Sequence, residues 1–166
     1  MKTIQLTRGR EALVDDDDFE WLSSFNWYAA VSGKTFYARR SIQLSNGRQT
    51  LHMHREVMQR AGHDLTGMDV DHREHDGLDN RKSMLRVVTK SQNLANQRGP
   101  QSGNTSGFLG VYFHKGTRRW IARIRVNGEQ LYLGSFDKPI EAARAHDAYI
   151  IKHGLMFHTL SIPVAA

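Results

Sequence analysis

An α+β fold is predicted by three observations: short alternating apolar and polar runs separated by tight-turn signals, helical patterns with marked ends, and a Gly- and Ser-rich stretch, residues 98–107, lacking apolar periodicity. A length of 166 residues suffices for one real core or for two or three small modules. With 39% hydrophobic and 24% charged residues the chain is too apolar to be wholly disordered. No apolar run approaches the roughly 20 residues needed to cross a bilayer, and the N-terminus lacks a signal-peptide pattern. The expected setting is therefore intracellular, with no membrane partner. There is no cysteine, so disulfides and thiolate metal sites are excluded and any metal falls to His, Asp, Glu or Asn. Net charge is +6, with 8 Lys and Arg against 4 Asp and Glu in residues 105–166. A basic C-terminal module points to a polyanion, nucleic acid before membrane, because no amphipathic basic helix is visible.

Residues 1–68 read as a β-rich region. "TIQL" and "EALV" flank "TRGR"; "WYAAV" and "FYARRSI" flank "SGKT"; "SIQL" and "TLHM" flank "SNGRQ", whose Asn46-Gly47 is a strong hairpin signal. Between the first two pairs, "DDDDFEWLSSF" reads as a helix whose acidic first turn satisfies free amides and the macrodipole, with Phe19, Trp21 and Leu22 packing inward, rather than as a catalytic acidic run. "HREVMQRAG" is a short helix closing at Gly62. Residues 69–98 form the next module: a strand through "MDVDH", a polar loop from Arg73 to Ser83, a strand "LRVV", and a helix opened at Thr89 by a Thr89/Gln92 capping box. Residues 99–107 read as a linker. Residues 108–163 then offer three strands, "FLGVYFH", "RWIARIRV" and "QLYLGSF", and a helix from Lys138 to His153 with Asp137 as N-cap, Pro139 in the first turn and Gly154 as its stop.

Alternation in the last module puts Trp120, Ala122, Ile124 and Val126 on one face and Arg119, Ile121, Arg123 and Arg125 on the other. Ala142, Ala143, Ala145 and Ala148 are small enough to lie against the apolar face. The opposite face, with Tyr112, His114, Gln130 and Tyr132 added, is either a solvated surface or one that enters a major groove. The residues by themselves leave both readings open.

The loop of the central module crowds Asp71, His72, Glu74, His75, Asp76 and Asp79 together. Hydrolysis of a phosphodiester needs an activated water, a Lewis acid on the phosphate and stabilisation of the leaving oxygen. A neutral histidine suits the first, and a hard cation held by carboxylate and amide oxygens supplies the others. Asp71 and His72 are adjacent on a strand end and point to opposite sides, while Asn93 lies one turn into the next helix. Glu74, His75 and Asp76 read as solvated loop residues rather than spare ligands. His52 and His54 alternate on a strand, with His54 approaching the site from behind or serving as a satisfied structural histidine.

Two resemblances add to this reading. "GFLGVYFHKGTRRWIARIRVNGEQLYLGSFDKPIEAARAHDAYIIKHG" resembles the ethylene-response-factor (APETALA-type) DNA-binding domain through "GV" at 110–111, Trp120, Ala122 and Ile124, "YLGSF" and "EAARAHDAY". The resemblance implies a three-stranded antiparallel sheet packed on one helix and laid in the major groove of double-stranded DNA, with Tyr112, His114, Arg119, Arg123, Arg125, Gln130 and Tyr132 facing it. The plant residues at Tyr112, His114 and Arg123 differ, so the plant target does not carry over. From Val70 to Asn96 the chain is similar to the ββα-metal core of phage HNH homing endonucleases, with "DH", "LDNRKSMLRVVT" and "QNLAN". That resemblance implies a nuclease that nicks or cuts DNA, His72 as general base, Asp71 and Asn93 holding one Mg2+ or Mn2+, and a phage protein, monomer or weak dimer, in the cytoplasm of a bacterial host. Asn80 joins His72 in the catalytic set as an anchor. Met84 departs from the family, which carries Asn there to bond across the loop; a thioether accepts hydrogen bonds weakly and donates none. The rival expectation is a sequence-specific DNA-binding protein that retains an impaired HNH-like fold.

Overall fold

The computed structural model describes residues 1–33, 35–96 and 99–162. Lys34 of the predicted "SGKT" turn and the predicted module ends at 98 and 163 lie outside them. The fold is α+β, with small antiparallel sheets and four α-helices among the described residues, none of them long and apolar enough to cross a membrane. The chain divides into two units, Met1–Thr89 and the part from Lys90 onward.

In the first unit β1 (Lys2–Gln5) pairs with β2 (Glu11–Val14) across a 3-10 turn at Thr7–Gly9. Helix α1 (Asp16–Ser23) follows, burying Leu22, with Phe19 and Trp21 packed at the core's edge. Strands β3 (Tyr28–Ser32), β4 (Thr35–Leu44) and β5 (Gly47–His52) form a meander. Leu44 pairs with Gly47, so Ser45 and Asn46 make the turn and Gly47 already belongs to β5, one residue off the Asn-Gly expectation. Helix α2 (Met53–Arg60) begins immediately, so His52 ends a strand while His54 sits in a helix's first turn, and the two do not alternate on one strand. Ala38 of β4, Met53 and Val57 of α2 and Val14 of β2 are fully buried, which fixes α2 against the sheets. Strands β6 (Asp69–His72) and β7 (Leu85–Val88) pair antiparallel, with Asp71 opposite Arg86 and His72 opposite Leu85.

The loop between β6 and β7 is pinned to the N-terminal hairpin. Leu13 of β2 donates its N–H to Leu78 O at 2.9 Å and accepts from Asn80 N at 2.8 Å, an isolated parallel bridge with Asp79. The α1 N-cap residue, Asp15, makes no side-chain cap bond; its Oδ2 accepts from Lys82 N at 2.8 Å instead. Lys82 Nζ lies 2.7 Å from Asp17 Oδ2 and 2.6 Å from Asp18 Oδ2. The four-aspartate run therefore does more than serve its own helix; it clamps Lys82.

The second unit opens with α3 (Lys90–Ala95), one residue after the predicted Thr89 start. Residues 104 to 106, read from the sequence as linker, bond to the start of the next sheet: Asn104 Nδ2 and Ser106 Oγ both donate to Phe108 O, just before its first strand, and to Val111 O, the first residue of that strand. Strands β8 (Val111–His114), β9 (Arg119–Val126) and β10 (Glu129–Phe136) form an antiparallel sheet with β9 central and a bulge between Tyr132 and Gly134. Helix α4 (Pro139–Lys152) packs Ala142 and Ala143, both fully buried, against Val111 and Ala122. Its N-cap is Lys138 rather than Asp137, which pairs with Arg119 at 3.1 Å. Ala148 is exposed; Ile150, His146 and Asp147 are the other buried residues of the helix. Asp147 accepts from Ser161 N and Ile162 N, both at 2.8 Å, and so straps the following segment to α4.

Gly77 tests how the loop is seated. A Cβ there would collide with the Phe36 carbonyl and meet the Tyr37 ring at 2.8 Å. We expect Gly77→Ala to lower stability by about 1–3 kcal/mol, read by denaturant unfolding; a wild-type midpoint would mean that the loop does not lie on β4.

Candidate functional site

In the first unit, strand alternation sends Asp71 and His72 to different surroundings. Asp71 Oδ2 accepts from Arg86 Nε at 2.9 Å and Nη2 at 2.8 Å, a pair made possible by their facing positions on β6 and β7. Both side chains are largely buried. His72, 5% exposed, packs edge-on against His54, with centroids 4.9 Å apart, and against Tyr37 at 5.6 Å. Tyr37 also touches His54 and His52, and His52 and His54 lie 5.2 Å apart, so three imidazoles surround one phenol. This wall comes from β4, β5 and α2.

Burial holds His72 below its ordinary value of 6.5, against the pull of Asp71, Asn80, Asp76 and Asp79, all of which favour imidazolium. Burial likewise pushes His54 well below 6.5, reinforced by His72, His52, Arg55 and Arg39, and it lowers His52, with Arg39 and Arg55 adding to the effect. The rings are therefore neutral near pH 7. Among the described residues His72 Nε2, His54 Nδ1 and Asn80 Oδ1 are buried and have no hydrogen-bond partner. For His54 this corrects the expectation of a satisfied structural histidine. Asn80 is 1% exposed, its N–H bonded to Leu13 O and its Nδ2 to Leu78 O at 3.0 Å. Glu74 and Asp76 are exposed, and Asp76 closes a turn onto Leu78 N at 3.0 Å.

Asp71, His72 and Asn80 thus belong to the first unit, whereas Asn93 lies on α3 in the second, so the expected metal pair is divided between the units. The donor chemistry of that pair, one carboxylate and one amide oxygen, fits a hard cation that keeps most of its water. Asp71 Oδ2 already carries Arg86, so a cation arriving there must share or displace the guanidinium. Among the described residues the three acidic or imidazole side chains within mutual ligand reach are Asp15, Asp17 and Asp18, and the Lys82 ammonium pairs with two of them. Sequence reasoning did not find Arg86, Tyr37 or Arg39. Arg86 was accessible from the register of the hairpin; the other two are joined to His72 only through tertiary contact.

In the second unit several outward sheet residues are held by neighbouring side chains. Arg119 Nε donates to Ser135 Oγ at 3.0 Å and Nη2 to Ser135 O at 3.1 Å. The Arg123 guanidinium lies 4.9 Å from the centre of the Tyr112 ring, and its Nη1 donates to Gln130 Oε1 at 3.4 Å. Thr117 N donates to His114 Nδ1 at 3.2 Å, which leaves the neutral ring's proton on Nε2. His114, Arg125, Gln130 and Tyr132 are exposed, whereas Ile121 on the same face is buried. Tyr112, Arg125 and Gln130 also line a cleft of about 1040 Å3 whose other lining includes Lys90, Ser91, Leu94 and residues 100–104.

The buried histidines make stability depend on pH. Below pH 6.5 the unfolded chain takes up protons that the folded imidazoles refuse, so this contribution is complete above 6.5 and is lost as pH falls toward the folded values. We expect thermal unfolding to move down between pH 7.5 and 5.5, with His54 alone contributing up to about 1.4 kcal/mol per pH unit. His54→Asn should flatten the profile; an unchanged slope would mean that His54 titrates normally.

Over 56 residues, 34% of its length, the chain is 46% identical to APETALA2-like protein 2 of Oryza sativa, in both the indica and japonica subspecies. It is 45% identical over 56 residues to the AP2-like ethylene-responsive transcription factor TOE2 of Arabidopsis thaliana. The chain spans 13% of the rice proteins and 11% of the Arabidopsis protein. No family model matches the chain, and no solved structure matches it. The similarity supports an AP2-type domain within about one third of this chain.

Proposed function

We propose that the chain binds double-stranded DNA sequence-specifically through the outward face of the β8–β9–β10 sheet. The observation that carries this reading is the similarity to AP2-type transcription factors, joined to a sheet on which outward Arg123, Tyr112 and Gln130 orient one another while Ser135 holds Arg119 and Thr117 holds His114. Oriented side chains lose less freedom on meeting a groove. Arg123 and Arg125 are the candidates for base edges, and Arg119, held by Ser135 and Asp137, the candidate for a phosphate. We expect Arg123→Ala and Arg125→Ala each to weaken binding to a selected duplex by about 1–3 kcal/mol and to relax its sequence preference. Equal affinity of the wild type for single strands would overturn the duplex reading.

A second reading concerns the first unit, and one observation favours it: a buried, neutral His72 whose Nε2 has no partner, one residue from Asp71. In an HNH-type nuclease His72 would take the proton of the attacking water on a ring nitrogen, with Asn80 and the packed rings of Tyr37 and His54 holding its plane. Asp71 and Asn93 would hold one Mg2+ or Mn2+, which would act as Lewis acid on the phosphate and leaving oxygen. The test is cleavage of labelled DNA with either metal. His72→Ala should still bind duplex and cut at least a hundredfold more slowly, about the contribution of one general base. Cutting at the wild-type rate would remove His72 from the chemistry, and binding without any cutting would leave the first unit as an HNH-like scaffold.

A further inference from the structure

We propose that Arg39, on β4, is a contact for a DNA backbone phosphodiester, seated beside His52, His54 and His72. The inference rests on the DNA-binding reading and assigns a second contact surface, in the first unit.

Three observations carry it. Among the described residues the Arg39 Nε is buried without a hydrogen-bond partner, an unusual state for a group that keeps its charge at all accessible pH. Its guanidinium carbon stands 6.0 Å from the centre of the Tyr37 ring, the same ring that touches His52, His54 and His72. Alternation along β4 explains the placement: Arg40 turns toward Glu56 and Phe25, so Arg39 shares the opposite face with Tyr37, and the β4–β5 register puts it opposite His52.

The neighbouring charges leave this cation over. Arg40 is paired with Glu56, Arg86 with Asp71 and Arg81 with Asp79, while Arg55 is bonded to the carbonyls of Leu65 and Met68. Beside it, among the described residues, His72 Nε2 and His54 Nδ1 are buried polar atoms without partners. A monoanion with several acceptor oxygens answers both needs. A guanidinium fork fits its two non-bridging oxygens, and an imidazole N–H can donate to one of them or to an ester oxygen. A phosphodiester has this charge and shape, and it carries two ester oxygens besides the two charged ones, where a carboxylate has its two charged oxygens alone.

The test uses the full chain and a random-sequence duplex, with affinity measured across a salt series for wild type, Arg39→Gln and Arg39→Lys. One lost phosphate contact should make the slope of log affinity against log salt shallower by about 0.9 and weaken binding roughly eightfold at 0.1 M salt, equally for every sequence. Arg39→Lys should restore both, which also separates loss of charge from loss of fold. In parallel, the side-chain nitrogen resonances of His52 and His54 should shift when the duplex is added to the wild type and remain in place in Arg39→Gln. A wild-type slope in Arg39→Gln, with duplex still bound, would overturn this assignment and leave the sheet reading intact. Imidazole shifts produced by inorganic phosphate but not by duplex would make it a free-anion site and overturn the backbone assignment. Failure of the wild type to bind duplex would overturn the DNA-binding reading and this inference with it.

Discussion

The loop from Arg73 to Ser83 carries Glu74, Asp76 and Asp79 within six residues, and like charges at that spacing favour an open, solvated segment. It is held closed from outside. Leu13 of β2 supplies both a donor and an acceptor to the loop backbone, at 2.9 and 2.8 Å, and Lys82 is gripped through its N–H by Asp15 and through its ammonium by Asp17 and Asp18. An exposed ion pair alone contributes little, and Asp17 is such a partner. Asp18 is buried, however, and two main-chain bonds act beside it, so the clamp is a network rather than one surface bridge. The seats of Asn80 and His72 follow from it. The N-terminal hairpin and α1 are thus part of the site's framework, although none of their residues carries its chemistry.

Charge pairing then decides the protonation of the interior. The buried carboxylates near His72 are matched with guanidinium groups, Asp71 with Arg86 and Asp79 with Arg81. A matched carboxylate exerts less pull on a neighbouring imidazole than a bare one, and desolvation therefore prevails at His72 and His54. The same arrangement yields a neutral ring able to accept a proton and a guanidinium, that of Arg39, with no acidic partner among the described residues. Arg86 has a double effect. It makes burial of Asp71 tolerable, and by occupying Asp71 Oδ2 it sets the competitor that the proposed metal would have to share or displace.

Much of the second unit was legible because its signals are local. Alternation in "RWIARIRV", the small residues of α4 and the turn at "NGE" specify strands, packing face and connection within a few positions. What was hidden depends on distant partners. The aspartate run reads locally as a helix start, and its partner Lys82 lies 65 residues beyond Asp17. Asp137 resembles an N-cap, yet Arg119 across the sheet takes it and Lys138 begins the helix. Ala148 belongs to the apolar spacing of α4 but falls where nothing covers it. His54 was noticed as a neighbour of the site, while its place at the start of α2, and so its unpartnered nitrogen, required knowing that β5 ends at His52. Asp71 and His72 were readable as a pair; the grouping of Asn93 with the second unit was not, since nothing in the run from Thr89 to Asn96 marks a division.

Met84 is best understood through the bonds that do not use its side chain. The residue closes the loop through its main chain: Arg73 N donates to Met84 O at 3.0 Å, and Met84 N donates to Arg81 O at 2.9 Å. Either bond survives any side chain at that position except proline's effect on the donor. Asn80, buried and bonded to both Leu13 and Leu78, supplies a second anchor from within the same loop. Closure therefore does not require an asparagine at 84. What a thioether cannot give is a strong donor or acceptor inside the site, and Asn80 Oδ1 and His72 Nε2 remain without partners there. The substitution thus separates two properties that one amide would join: the loop keeps its path, and the polar atoms around the general-base candidate depend on packing against Tyr37 and His54 for their orientation.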